Sequence, residues 1–129
     1  MKLLRIKQVL LFNLENMPRK FSFKRLFSDD SFDMYEGVYE LSGFGTYLAA
    51  LSPIWRKAES TDFETGSTSL CLRIFYNIQT KNWELHEGDD TFTTTHLSCS
   101  KGLFQRKPFY YSWTSSIWNT KTIYKIEEL

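Results

Sequence analysis

Residues 68–99 read TSLCLRIFYNIQTKNWELHEGDDTFTTTHLSC. Side chains alternate with period two along an extended chain. Leu70, Leu72, Ile74, Tyr76 and Ile78 therefore share one face, and Cys71, Arg73 and Phe75 share the other. QTKN (79–82) turns the chain into WELHE (83–87), the clearest hairpin signal in the protein. GDD (88–90) turns it again into TFTTTHLSC (91–99), so this stretch predicts an antiparallel meander.

The same pattern extends in both directions. Upstream, KFSFKRLF (20–27) sets Phe21, Phe23, Arg25 and Phe27 against Ser22, Lys24 and Leu26. SDDS is a turn, and DMYEGVYEL (33–41) then alternates Tyr35, Gly37, Tyr39 and Leu41 against Met34, Glu36, Val38 and Glu40. Gly43 and Gly45 punctuate it, TYLAAL (46–51) follows, and Pro53 interrupts before IWRKAE. STDFETGS is a loop. Downstream lie LFQRKPFYYSW (103–113), with Pro108 marking an edge or bulge, the turn SSIWN, and TKTIYKIEE (120–128). The only helical period is at the start. Leu3, Leu4, Ile6, Val9, Leu10, Leu11, Phe12 and Leu14 predict an apolar helix over about 2–16, ended by Pro18. The expectation is a mainly β fold: an antiparallel meander of about eight strands, closed as a barrel or folded as a sandwich, with one N-terminal α-helix. The chain reads as a single domain over 1–129, with the helix in 1–17 and the strands in 20–128.

Composition narrows the class. The chain has 129 residues, a formal charge of +1 and an aromatic share of 17%. That is one domain whose core is dominated by rings. Residues 1–27 carry seven basic side chains and Glu15 as their single acid. Such an end suits a nucleic-acid or membrane surface or an import signal, or it pairs with the acidic remainder of the same fold. Two cysteines, Cys71 and Cys99, make no disulfide framework. No apolar run is long enough to span a bilayer. These features point to the cytoplasm, with an organelle as the alternative because of the basic amphipathic N-terminus.

Catalytic signatures are absent. GFGTY (43–47) lacks the third glycine and the lysine of a phosphate loop. Ser98-Cys-Ser-Lys101 has a Ser-x-x-Lys spacing, but it falls at a strand end. His86 and His96 lie on the two arms of a hairpin, and Cys99 points away from His96 unless a bulge intervenes. Such dispersed ligands do not make a metal site, so no metal and no cofactor is expected. Glu84, Glu87, Asp89 and Asp90 cluster around a turn and read as solvated surface charge. KFSFKRLF and FQRKPFYY interleave basic residues with rings, as a single-strand nucleic-acid binder does, yet barrel strands would turn most of those rings inward. Nucleic acid is the less favoured partner.

Six segments follow the order of a known group: Phe21-Ser-Phe-Lys-Arg25, Gly37-Val-Tyr-Glu-Leu41, Trp83-Glu-Leu-His86, His96-Leu-Ser-Cys99, Phe109 through Trp113, and Lys121-Thr-Ile-Tyr124. In this order the chain resembles the lipocalin and calycin-like barrels, most of all a family of small single-domain proteins within that group. It departs from them where the usual Gly-x-Trp opening is replaced by Phe21 or Phe23. The resemblance implies a barrel and, by analogy, ligand binding.

The leading expectation is non-covalent binding of a hydrophobic or amphipathic small molecule inside the barrel. Arg25, His86, His96 and Tyr111 are the candidate polar anchors, and Trp83, Trp113 and Tyr124 the candidate lining. Arg25 suits a carboxylate-bearing ligand, because a buried guanidinium needs a bidentate partner. The alternative is a filled barrel that serves as a protein-interaction or assembly subunit, or as a homodimer, through its N-terminal helix and basic patch. An enzyme built on the histidines and Cys99 is the least supported reading.

Overall fold

The computed structural model describes residues 17–26, 33–45, 52–57, 72–88, 93–100 and 110–129. They form eight strands: β1 (Lys20–Arg25), β2 (Gly37–Phe44), β3 (Pro53–Lys57), β4 (Leu72–Asn77), β5 (Asn82–Gly88), β6 (Thr93–Cys99), β7 (Tyr110–Ser115) and β8 (Lys121–Glu128). Each strand pairs antiparallel with the next, and β8 closes on β1, with Phe23 opposite Ile126 and Arg25 opposite Tyr124. The fold is a closed eight-stranded meander barrel. The helix expected over 2–16 and the strand expected over 46–51 lie outside the described residues.

Alternation fills the interior. Phe21, Phe23, Tyr39, Trp55, Leu72, Ile74, Trp83, Leu85, Leu97, Cys99, Tyr111, Trp113, Tyr124 and Ile126 form one buried cluster. An eight-stranded barrel is just wide enough to be filled by side chains, and here rings do most of it. Phe21 stacks on Tyr39 at 5.6 Å, Trp55 tilts against Trp83 at 6.0 Å, and Phe23 meets Tyr124 edge-on at 4.2 Å. At one end Met17 packs on this core, and the Trp55 indole donates to the Pro18 carbonyl at 2.9 Å.

The walls differ. Burial alternates along β1, β7 and β8, whose outer faces meet solvent. Along β4 and β5 burial is nearly continuous, because the outward Arg73, Phe75, Asn77, Glu84 and His86 are buried too. Pro53 opens β3 opposite Phe44, a first-strand position where its missing N–H costs no ladder bond.

Residues 33–36 depart from the expected strand. They form a turn, in which Asp33 Oδ1 accepts from the Tyr35 amide at 2.9 Å and the Asp33 carbonyl accepts from Glu36 N at 3.2 Å. Aspartate closes such turns on its own backbone. The pairing of β2 begins only at Gly37, whose φ of +155° and close approach to Lys57 suit a residue without Cβ.

Candidate functional site

The turn at 33–36 lies across the end of the barrel opposite Pro18, and polar groups from five strands meet it there. Tyr124 Oη donates to Asp33 Oδ2 at 2.8 Å, and Arg25 Nε stands 3.9 Å from the same oxygen. The Arg25 amide donates to Glu36 Oε1 at 3.0 Å. Tyr39 Oη donates to the Tyr35 carbonyl at 2.8 Å, and Lys57 Nζ donates to the Met34 carbonyl at 2.8 Å.

His96 reaches this end through a bulge. The β5–β6 register steps from Leu85↔Leu97 to His86↔Thr95, so His96 is the extra residue. Its Nε2 lies 2.8 Å from Glu87 Oε2 and its Nδ1 lies 2.9 Å from Tyr35 Oη. A carboxylate can only accept, so Nε2 carries a proton and, in the neutral ring, Nδ1 accepts from the phenol. Tyr35, His96 and Glu87 thus form a hydroxyl–imidazole–carboxylate chain beside the Arg25, Asp33 and Tyr124 group.

No protein-family model, curated protein or solved structure matches this chain. The closed eight-stranded meander is the part of the expected lipocalin-like architecture that the structure bears out, and a fold by itself assigns no function.

Of the seven residues singled out from sequence, Arg25, His96 and Tyr124 come together under the turn. Trp83, Tyr111 and Trp113 lie in the interior cluster. Trp113 is 0% exposed, and among the described residues its indole N–H meets no hydrogen-bond acceptor. His86 stands apart, on the outer face of β5. Its Nε2 is 2.7 Å from Glu84 Oε1 and 3.0 Å from Thr95 Oγ1, and its ring packs against Phe75 at 4.6 Å. Glu84 and Glu87 are correspondingly not the solvated pair their place near a turn suggests: the first is buried and the second holds His96. Among the described residues no group of three His, Cys, Asp or Glu side chains is placed to hold a metal ion. The sequence reading missed Asp33, Tyr35, Glu36 and Lys57. The signal for the first was its type, since Asp two residues before an amide closes a turn.

The site is built of neutral phenols. Burial raises the Tyr35 pKa, helped by the charges of Asp33 and Glu87. Burial also holds Tyr39 well above the tyrosine range, and Tyr124 is held far above it by burial and its bond to Asp33. Lys57 moves down, because burial outweighs the attraction of Asp33 and Glu36. The unfolded chain ionises its tyrosines near pH 10, while these stay protonated in the fold. Their stabilisation is complete below that pH and falls away as the pH rises above it. An absorbance titration should show these phenols missing from the ordinary tyrosine transition and ionising only as the barrel unfolds.

Proposed function

We propose that the barrel binds an amphipathic small molecule non-covalently and seats its anionic head, a carboxylate or its equivalent, at the end crossed by residues 33–36. The observation that carries this reading is the Asp33 carboxylate itself. It sits on a turn rather than a strand, and it occupies the place where Tyr124 Oη and the Arg25 guanidinium converge. An external carboxylate has the same charge and acceptors, so it can take that place when the turn moves away. Tyr35 and His96 supply further polar contacts at this end, and Trp113 offers a buried donor that meets no acceptor among the described residues. Trp83 and Tyr111 are lining in this reading, and His86 has no part in it.

The test is chemical rescue. Asp33→Ala should lower the melting temperature, and a medium-chain alkyl carboxylate should restore it more in this variant than in the wild type. Arg25→Ala should weaken that binding by about tenfold or more, the usual loss when a charged hydrogen-bonding partner goes. Native mass spectrometry would show the bound molecule directly. Unchanged binding in both Arg25→Ala and His96→Ala would sink the reading.

The unbroken ring packing between Phe21, Trp55 and Trp83 and between Phe23, Trp113 and Tyr124 favours a second reading. In it the barrel is filled and acts as an assembly subunit through its N-terminal segment. Deletion of residues 1–17 that leaves the barrel folded but dissociates an oligomer would support it.

A further inference from the structure

We propose that the β7–β8 hairpin and the outer face of β8 and β1 dock this protein on an anionic lipid membrane, independently of whether the barrel takes a ligand. The hairpin tip presents Ile117, 59% exposed, and Trp118, 77% exposed. The other three tryptophans are buried, at 5% or less. Hydrogen bonds define the turn that presents Ile117 and Trp118. Asn119 takes a left-handed φ of 52°, its amide bonds the Ser115 carbonyl at 2.9 Å, and the Trp118 amide bonds Ser115 Oγ at 3.2 Å. Ser116 ties the turn to β6, its amide on the His96 carbonyl at 3.0 Å and its hydroxyl on the Thr95 carbonyl. Two large apolar side chains are therefore presented to water by a hydrogen-bonded turn, at the barrel end that carries His96.

The face running back from this tip alternates basic and apolar groups. Along β8, Lys121, Ile123 and Lys125 point outward, with Ile123 40% exposed. Lys24 of β1 lies directly opposite Lys125. Like charges in that position repel, and among the described residues Glu127, 3.3 Å from Lys125 Nζ, offsets them. The tip itself, SSIWNTK (115–121), has no acid. Anionic headgroups complement these lysines, and the acyl region takes the side chains between them. Tryptophan favours this boundary because its ring is apolar and its N–H polar. Ile117 and Ile123 tip the patch toward lipid: they offer no face on which a base can stack, whereas Trp118 serves either partner.

Trp118 is its own reporter. With vesicles of equal parts phosphatidylcholine and phosphatidylserine, its emission should shift to the blue and be quenched by lipids brominated on the acyl chain. Phosphatidylcholine alone should give neither response, and high salt should reverse the binding. Lys24→Ala and Lys121→Ala should each lower the partition coefficient about fivefold. Trp118→Ala, at an exposed position that leaves the fold intact by circular dichroism, should remove the quenching and weaken cosedimentation. The proposal is overturned if the folded protein shows no shift and no quenching, or if cosedimentation survives all three substitutions. Binding of a single-stranded oligonucleotide with no response to vesicles would also overturn it and assign the face to nucleic acid.

Discussion

Trp55→Ala is expected to lower the unfolding free energy by about 4–5 kcal/mol, the top of the range for deleting a buried tryptophan. Trp55 is 0% exposed and lies between Phe21, whose ring is 5.7 Å away, and Trp83 at 6.0 Å. Its removal opens a void that the surrounding strands cannot readily close, because Phe21, Ile74 and Trp83 are anchored on three different strands, β1, β4 and β5, each held in the barrel by its own pairing. It also strands the Pro18 carbonyl, which loses its donor and with it the tie that holds Met17 and Pro18 across that end. Domains of this size are stable by only about 5–15 kcal/mol, so the variant should populate unfolded chains at physiological temperature. Trp55→Phe separates the two parts: it keeps most of the ring but not the N–H. Trp118→Ala is the contrast, expected within about 0.5 kcal/mol of wild type because its side chain is in solvent. Urea denaturation of the three variants measures all of this, and a small effect at Trp55 would mean that the interior does not bear the fold's stability.

The strands were legible wherever one face is apolar and the other polar. KFSFKR and KTIYKIEE carry that alternation, and the pairs they form across the β1–β8 seam place Phe23 beside Ile126. Closure into a barrel was legible only as a count of strands, since nothing in either segment names its partner. Two features of the site were not legible. DMYEG alternates as well as any strand, yet its first four residues turn because Asp33 captures the Tyr35 amide; a local side-chain bond outcompetes the ladder. Strict alternation turns His96 away from Cys99 unless a bulge intervenes, and the bulge on β6, where Thr95 pairs with His86, brings it to Glu87 and Tyr35. A one-residue insertion leaves no compositional trace. The outer wall of β4 and β5 misled for a related reason. Glu84 reads as solvated charge and His86 as an anchor for a ligand, and the structure buries both on the outer face beside Arg73.

That wall carries the second large effect. Glu84→Gln should cost about 3 kcal/mol at neutral pH, the scale for disrupting a buried, fully hydrogen-bonded charge. Glu84 is 4% exposed, and its carboxylate accepts from Asn77 Nδ2 at 2.9 Å, Thr80 Oγ1 at 2.9 Å and His86 Nε2 at 2.7 Å. Burial alone would raise its pKa, but these donors, with the attraction of His86, outweigh burial and hold it below the ordinary carboxylate value. The glutamine amide can keep its oxygen toward Asn77 and His86 and turn its NH₂ to the Thr80 hydroxyl, which can accept, so what is lost is the charge that strengthens all three bonds. The pH dependence has a definite sign. A carboxylate whose folded pKa lies below its unfolded value stabilises the fold above the unfolded value, and that stabilisation is lost as the pH falls through the folded one. The wild type should therefore lose stability on acidification more steeply than Glu84→Gln, and the gap between the two should narrow as the pH drops. Glu40→Gln provides the control, because its partner Lys20 is 3.4 Å away with both side chains more than half exposed, and such pairs contribute about 0–1 kcal/mol. Denaturant melts of the three proteins at neutral and acid pH decide the matter: a gap that stays constant with pH would show that Glu84 acts through packing and not through its charge.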